Sequence, residues 1–140
     1  MKVLRLNAYY IPEKTASTHL FEDLNNAFEE NEIHYTIITP VPTRGVDESV
    51  RRKYQKEKYE KTNRGYVEVK RFNLCKEGRN PVLRALRYFI MNIIEYSKAI
   101  KENDVDIVFS SSTPPTQGMV SAMVAKKLSK RYKKKSSVCL

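Results

Sequence analysis

The stretch 111–118, SSTPPTQG, places hydroxyl groups, an amide and two prolines between two apolar segments. The preceding DVDIVFS is typical of a buried strand, and the following MVSAMVAKKLSKRYKKK has the period of a helix. Open α/β proteins bind ligands at such strand-to-helix elbows. The side chains that could line a cleft here are Ser112, Thr113, Thr116 and Gln117. Thr116 and Gln117 could also donate to an anion at the helix start, although Pro115 removes one amide.

A second group of polar residues follows the first predicted strand, in YYIPEKTAST (9–18). Pro12 and Glu13 lie in this loop, and His19 falls on the first turn of the next predicted helix. Glu13 is either a base or hydroxyl acceptor, or an exposed loop carboxylate. His19 could bind a sugar hydroxyl or a phosphate, or serve only at the surface or as a cap.

Several kinds of chemistry lack their motifs. The first loop has no glycine, so a dinucleotide fingerprint is missing, and there is no P-loop. No His or Asp stands beside the elbow hydroxyls, so a nucleophilic triad is unsupported. Cys75 and Cys139 have no partner at ligand spacing, which argues against a zinc site or disulfide framework. We expect each cysteine to be a buried or half-buried thiol. We expect no metal or cofactor, and we leave the catalytic residues unassigned.

The elements that must position these residues alternate along the chain. Strands are predicted at KVLRLNAYY, HYTIITPVP, YVEVKRFNL, DVDIVFS and SSVCL, and helices at STHLFEDLNNAFEENE, at NPVLRALRYFIMNIIEYSKAIKEN and from about Thr116 to Lys135. Asn80 is the expected cap of the second helix, with Pro81 in its first turn. The wide apolar stripe of that helix predicts that it is well buried. Residues 46–64 are predicted to be a long basic loop with room for a short exposed helix.

This order predicts one domain over residues 1–140, an α/β fold with a Rossmann-like, doubly wound parallel sheet and helices on both faces. The expected strand order is 3-2-1-4-5, with the last strand incomplete at Leu140. Strands one and four would then be neighbours at the point where the winding reverses. Ligands bind beyond the carboxyl ends of the strands at that point, so the elbow and the first loop should face each other.

The net charge of +10 is concentrated in two runs, 51–64 and 126–135. Such runs attract nucleic acid, anionic lipid or phosphorylated substrates, or they are simply solvated faces. The longest apolar run, YFIMNII, is shorter than a membrane span, and no targeting peptide is evident, so we expect a cytoplasmic protein. The candidates for contact with a membrane surface are Arg51, Arg52, Lys53, Lys130, Arg131, Lys133 and Lys134.

Several segments together resemble the N-terminal half of a family 4 glycosyltransferase of the two-domain GT-B kind, in its lipopolysaccharide and capsule branch. They are YYIPE, TIITPVPT, GYVEVKRF, RALRYF and, most specifically, DIVFSSSTPPTQG. The resemblance covers nearly the entire chain. One departure is KTAS in the first loop, where the family often has glycines, and this puts donor-phosphate contacts there in doubt.

The resemblance implies an acceptor-side domain, truncated before the donor-binding domain, that acts in cell-surface glycan synthesis. Its expected partners are a lipid-linked sugar acceptor and the inner face of the membrane, with a nucleotide-sugar donor bound only by the missing domain. The chain alone is then expected to be inactive and to self-associate through its incomplete sheet edge.

Two other classes remain open. Tyr54, Tyr59 and Tyr132 lie among basic residues, as in a nucleic-acid-binding module, although no recognised binding motif is present. A response-regulator-like domain would need acidic residues after strand one, where the chain has Asn7 and Tyr9.

Overall fold

A computed structural model of the protein describes residues 1–14, 18–111 and 114–132, together with the backbone of 137–139. The strands are β1 (Lys2–Leu6), β2 (His34–Pro40), β3 (Tyr59–Thr62), β4 (Val67–Phe72), β5 (Ile107–Ser110) and β6 (Ser137–Cys139). The helices are α1 (Thr18–Glu30), α2 (Glu48–Lys56), α3 (Pro81–Ala99) and α4 (Gln117–Tyr132). The prediction that α4 continues to Lys135 falls outside the described residues.

The strands form a single sheet in the order β3-β4-β2-β1-β5-β6. All neighbouring pairs are parallel except β3 with β4, which is antiparallel. The predicted α/β class is therefore confirmed. The observed order differs from the predicted five-strand order because an additional strand, β3, pairs outside β4.

The predicted long loop over residues 46–64 contains α2, the short helix for which it had room, but the prediction missed strand β3. The β3 sequence YEKT alternates exposed and half-buried residues, and charged side chains are common on edge strands, where they discourage pairing with other chains. Gly65 closes the β3–β4 turn with a φ of 90°, a conformation that glycine adopts without steric cost.

Two apolar cores flank the sheet. On one face, Val3, Ile37 and Val69 pack against α1 through Phe21. On the other face, strand residues including Leu4 and Leu6 pack against α3 and α4, whose core residues are Met91, Ala99, Val120, Val124, Ala125 and Leu128. The alternation of neighbouring strand residues between the two cores places helices on both faces of the sheet, as the sequence predicted.

The start of α3 is as expected, with the Asn80 side chain accepting hydrogen bonds from the amides of Val82 and Leu83. The prediction that α3 is well buried is wrong. Six of its large apolar side chains are exposed, and they are Val82, Leu83, Leu86, Phe89, Ile90 and Ile93. We call this set the apolar face of α3.

The buried side of α3 carries polar residues instead. Arg87 donates from Nε to the Cys75 carbonyl at 2.9 Å. Glu95 accepts a hydrogen bond of 2.6 Å from the Gln117 amide of α4, and burial raises the pKa of its carboxyl to about 8. Asn92 donates to the Thr116 hydroxyl at 2.8 Å. Each of these buried side chains therefore has a hydrogen-bond partner inside, and one further polar atom of each, on Arg87, Asn92, Glu95 and Gln117, has none among the described residues. The apolar stripe of the helix faces outward.

Two further expectations concern cysteines and membranes. Cys75 is exposed rather than buried, because it lies in the loop between β4 and α3; the Cys139 side chain lies outside the described residues. Within the part of the chain that the structure describes, none of the helices combines the length and hydropathy that crossing a bilayer requires.

Candidate functional site

Tyr9 is the point where the loops at the carboxyl edge of the sheet meet. Its hydroxyl donates to Glu77 at 2.8 Å and lies 3.0 Å from the Tyr88 hydroxyl. The Arg44 guanidinium lies 5.7 Å from the centre of the Tyr9 ring. These residues come from the loops after β1, β2 and β4 and from α3, so four segments contribute to one polar cluster.

The loops after β1 and β5 also contact each other. The Ser111 hydroxyl donates to the Asn7 side-chain oxygen at 3.0 Å, and the Asn7 amide donates to the Tyr9 carbonyl. Since β1 and β5 are neighbours in the sheet, this contact lies where the winding of the sheet reverses. We call Asn7, Tyr9, Arg44, Glu77, Tyr88 and Ser111 the edge cluster.

The protonation of the edge cluster follows from its environment. Burial, together with the hydrogen bonds to Tyr88 and Glu77, raises the pKa of Tyr9 far above its usual range. The phenol is therefore neutral at physiological pH and acts as a hydrogen-bond donor rather than a base. The cluster offers hydroxyls, a carboxylate and a guanidinium in one place, which are groups that can bind sugar hydroxyls and phosphate oxygens.

Glu13 supports this cluster from behind and is not an exposed loop carboxylate. Only 2% of its surface is exposed. One carboxyl oxygen accepts hydrogen bonds from the amides of Thr43 and Arg44 at 2.8 and 2.9 Å, and the other accepts from the Tyr10 amide at 3.3 Å. Desolvation raises the pKa of this carboxyl. Because Glu13 holds the loop that carries Arg44, its evident role is to position that loop.

The other predicted residues of the first loop lie apart from the edge cluster. Pro12 is half-buried, and the neighbouring Ile11 carbonyl accepts a 2.7 Å hydrogen bond from the buried Arg71. His19 is exposed in the first turn of α1. Neither residue is joined to Tyr9 by a hydrogen bond within the described part of the chain.

The elbow residues divide between two environments. Thr116 is exposed and its hydroxyl accepts a hydrogen bond from the Asn92 side chain, so its assignment to the cleft stays a prediction. The prediction that Gln117 lines the cleft is wrong. Its side chain is fully buried against Glu95, because the helical period places residue 117 on the same side as Ser121, Val124 and Leu128. Ser112 and Thr113 lie outside the described residues.

The predicted membrane-facing basic residues are not equivalent. Arg51 is buried and donates to the Leu74 carbonyl at 3.2 Å, so its assignment to a membrane surface is wrong. It lies on the side of α2 that packs on the loop after β4, whereas Arg52 and Lys53 are exposed. Lys130 and Arg131 are exposed on α4, and Lys133 and Lys134 lie outside the described residues.

The tyrosines of the basic segments are only partly available. Arg71 covers Tyr54 with its guanidinium 4.3 Å from the ring centre, and Tyr132 donates to Asn103 at 2.7 Å. Tyr59 is exposed on β3. The structure therefore leaves one of these three rings open for stacking on a base.

Sequence reasoning missed Tyr9, Arg44, Glu77 and Tyr88 as site residues. The predicted site used the loops after the first and fourth predicted strands, which are β1 and β5 of the structure. The structure adds the loops after β2 and β4. The loop residues among them could have been identified from their position in the sequence, because polar residues directly beyond the ends of parallel strands meet at one edge of the sheet. Among the described residues, no group of three or more His, Cys, Asp or Glu side chains could hold a metal ion.

The fold is that of an open α/β protein, and its polar edge cluster lies at the carboxyl edge of a mostly parallel sheet. A scan against models of known protein families found no match, and a search of curated proteins found no significant match either.

Proposed function

We propose that this chain is the acceptor-side domain of a glycosyltransferase that works at an anionic membrane surface. The edge cluster would bind the sugar and phosphate groups of a lipid-linked acceptor. The proposal is supported by the motif resemblance, by the convergence of hydroxyl, carboxylate and guanidinium groups at the edge cluster and, above all, by the apolar face of α3.

The apolar face of α3 is the observation that carries the proposal. Val82 is 72% exposed and Phe89 is 62% exposed, while Glu95 on the opposite side of the same helix is fully buried. A contiguous exposed apolar patch is uncommon on a soluble monomer and marks a surface that contacts a protein, a ligand or a membrane. The first half of α3 lies beside the edge cluster, because Tyr88 of this helix is a member of that cluster.

The charges around this face favour an anionic membrane. Glu95 is the one acidic residue in the sequences of α3 and α4, and it is buried. The same two helices carry exposed basic side chains, including Arg84 on α3 and Lys126 and Lys127 on α4. Each Lys or Arg close to an anionic surface contributes roughly 1 kcal/mol of attraction. Apolar insertion and basic attraction would then act together at one surface.

The edge cluster suggests a role for each group in the transfer. The Tyr9 hydroxyl and Ser111 would orient the acceptor sugar, and Arg44 would neutralise phosphate charge. Glu77 would accept the proton of the attacking acceptor hydroxyl as its oxygen bonds to the anomeric carbon and the nucleoside diphosphate leaves. Glu77 replaces Glu13 as the candidate base, because Glu13 is buried and occupied by backbone amides.

Saturation-transfer NMR tests this assignment directly. A short-chain prenyl-diphosphate sugar should give saturable signals from its sugar protons, because the edge cluster offers these groups hydrogen bonds. Glu77→Gln should weaken that binding, and Glu22→Gln, an exposed glutamate on α1, is the matched control. A single-stranded oligonucleotide serves as the competing ligand. Tight oligonucleotide binding with no sugar signal would replace this proposal by the nucleic-acid-binding alternative.

A further inference from the structure

A groove runs between α3 and α4 on the outer side of the domain. Phe89, Ile93 and Tyr96 line it from α3, and Met119 and Met123 line it from α4. Both helices follow parallel strands of one sheet, so both begin at the carboxyl edge and run in the same direction. The seven-residue separation of Phe89 and Tyr96 gives the groove a length of roughly 10 Å.

The groove lining is apolar apart from one polar pair. Asn92 and Thr116 also line it, joined by their 2.8 Å hydrogen bond. Thr116 belongs to the elbow after β5, so on the α4 side the polar pair lies toward the carboxyl edge. Met119 and Met123 are exposed, at 60% and 50% of their surface. Methionine side chains are flexible and adapt to chains of irregular shape.

We propose that this groove holds the apolar chain of a lipid phosphate, with the phosphate-bearing head directed to the carboxyl edge. This inference rests on the proposed function and names the part of the acceptor that the groove would bind. An apolar groove with a polar pair toward the carboxyl edge fits an amphiphile that has a hydrocarbon chain and a polar head. Arg84 is exposed in the first turn of α3 at that edge and complements an anionic head group.

A second copy of the chain fits the groove less well. A two-fold symmetric contact would place Lys126 and Lys127 of one copy beside the same basic surface of the other, and like charges at an interface oppose association. The Glu95 carboxyl cannot offset this repulsion, because it is buried beneath the groove. A lipid phosphate brings the opposite charge and the apolar surface together.

The test uses a tryptophan reporter in the groove. The sequence contains no tryptophan, so Phe89→Trp provides a single fluorophore. The probes are geranyl phosphate, kept below its micelle concentration, and methyl phosphate, which lacks the chain. Met123→Glu changes the groove, and Leu20→Glu, on α1 at the other face of the sheet, is the matched control. Both positions are exposed, and circular dichroism and a thermal melt verify that the variants fold.

Geranyl phosphate should shift the tryptophan emission in a saturable manner, while methyl phosphate leaves it unchanged. Met123→Glu should weaken geranyl phosphate binding roughly ten-fold or more, because the chain would have to cover a carboxylate. Leu20→Glu should change it by no more than about two-fold, since the two sites are far apart. Met123→Gln, which adds no charge, should also weaken binding.

Equal effects of Met123→Glu and Leu20→Glu, or the same emission shift with methyl phosphate, would overturn the groove assignment. The result is separable from the proposed function. Binding of the hydrocarbon chain together with a negative sugar NMR experiment would keep the groove assignment and remove the glycosyltransferase assignment. Sugar binding that does not depend on the hydrocarbon chain would keep the glycosyltransferase assignment and remove the groove assignment.

Discussion

Replacing exposed apolar residues of α3 should remove membrane binding without destabilising the fold. The double variant Val82→Ser/Leu86→Ser changes two side chains that are 72% and 53% exposed and lie outside the α3–α4 groove lining. Full burial of such a side chain is worth about 1.5–3 kcal/mol, so inserting the exposed parts of both should contribute roughly 2–4 kcal/mol. Vesicle affinity should therefore fall by roughly 30- to 1,000-fold.

The matched control is Leu20→Ser, because Leu20 is 55% exposed on α1, on the opposite side of the sheet. Cosedimentation with anionic vesicles measures the affinity, and thermal melts measure stability. Surface substitutions usually change stability by no more than about 0.5 kcal/mol, so the melts should be unchanged for both variants. Equal loss of vesicle binding in the two variants, or a melting temperature lowered as for a core substitution, would refute the reasoning.

Three other predictions follow from named contacts. Burial raises the pKa of Glu95 from 4.5 in the unfolded chain to about 8 in the folded protein. The free energy of unfolding should therefore fall as the pH rises between these values, because the unfolded chain releases the proton at the lower pH. Glu95→Gln should abolish that dependence and raise the free energy of unfolding at pH 8 by on the order of 4 kcal/mol in urea titrations; an unchanged pH profile would contradict this. Glu13→Gln should destabilise the fold by about 1–3 kcal/mol in the same titrations, because the backbone amides lose one of their acceptor oxygens. An unchanged free energy of unfolding would show that the loop carrying Arg44 does not depend on the Glu13 carboxylate. Lys126→Glu/Lys127→Glu should weaken binding to anionic but not to neutral vesicles, and the wild-type affinity should fall with added salt; equal losses on both vesicle types would argue against an electrostatic role.

The sequence pattern predicted the elements that depend on strong local signals. Strands β1, β2, β4 and β5 and the Asn80–Pro81 helix start fall where they were expected. Each has a direct physical cause in its own residues, such as an alternating or apolar run bounded by turn residues. The edge strand β3 was missed since its charged residues resemble a solvated loop. Its pairing with β4 is a tertiary contact that no local pattern contains.

The direction in which α3 faces could not be predicted from its period. Apolar residues surround much of this helix, so hydrophobicity alone indicates burial without indicating which side is buried. The decisive contacts are long-range ones, from Glu95 to Gln117 and from Arg87 to the Cys75 carbonyl. The same limitation applies to Glu13, whose partners Thr43 and Arg44 are distant in sequence.

The depth of α3 in a bilayer tests the central claim most directly. Single-tryptophan variants Leu86→Trp and Leu20→Trp, bound to anionic vesicles containing lipids brominated along the acyl chain, report which surface enters the membrane. The account predicts strong quenching at position 86 and little at position 20, because the apolar face of α3 would insert and α1 would face the solvent. Equal quenching at the two positions, or quenching at position 20 alone, would contradict it.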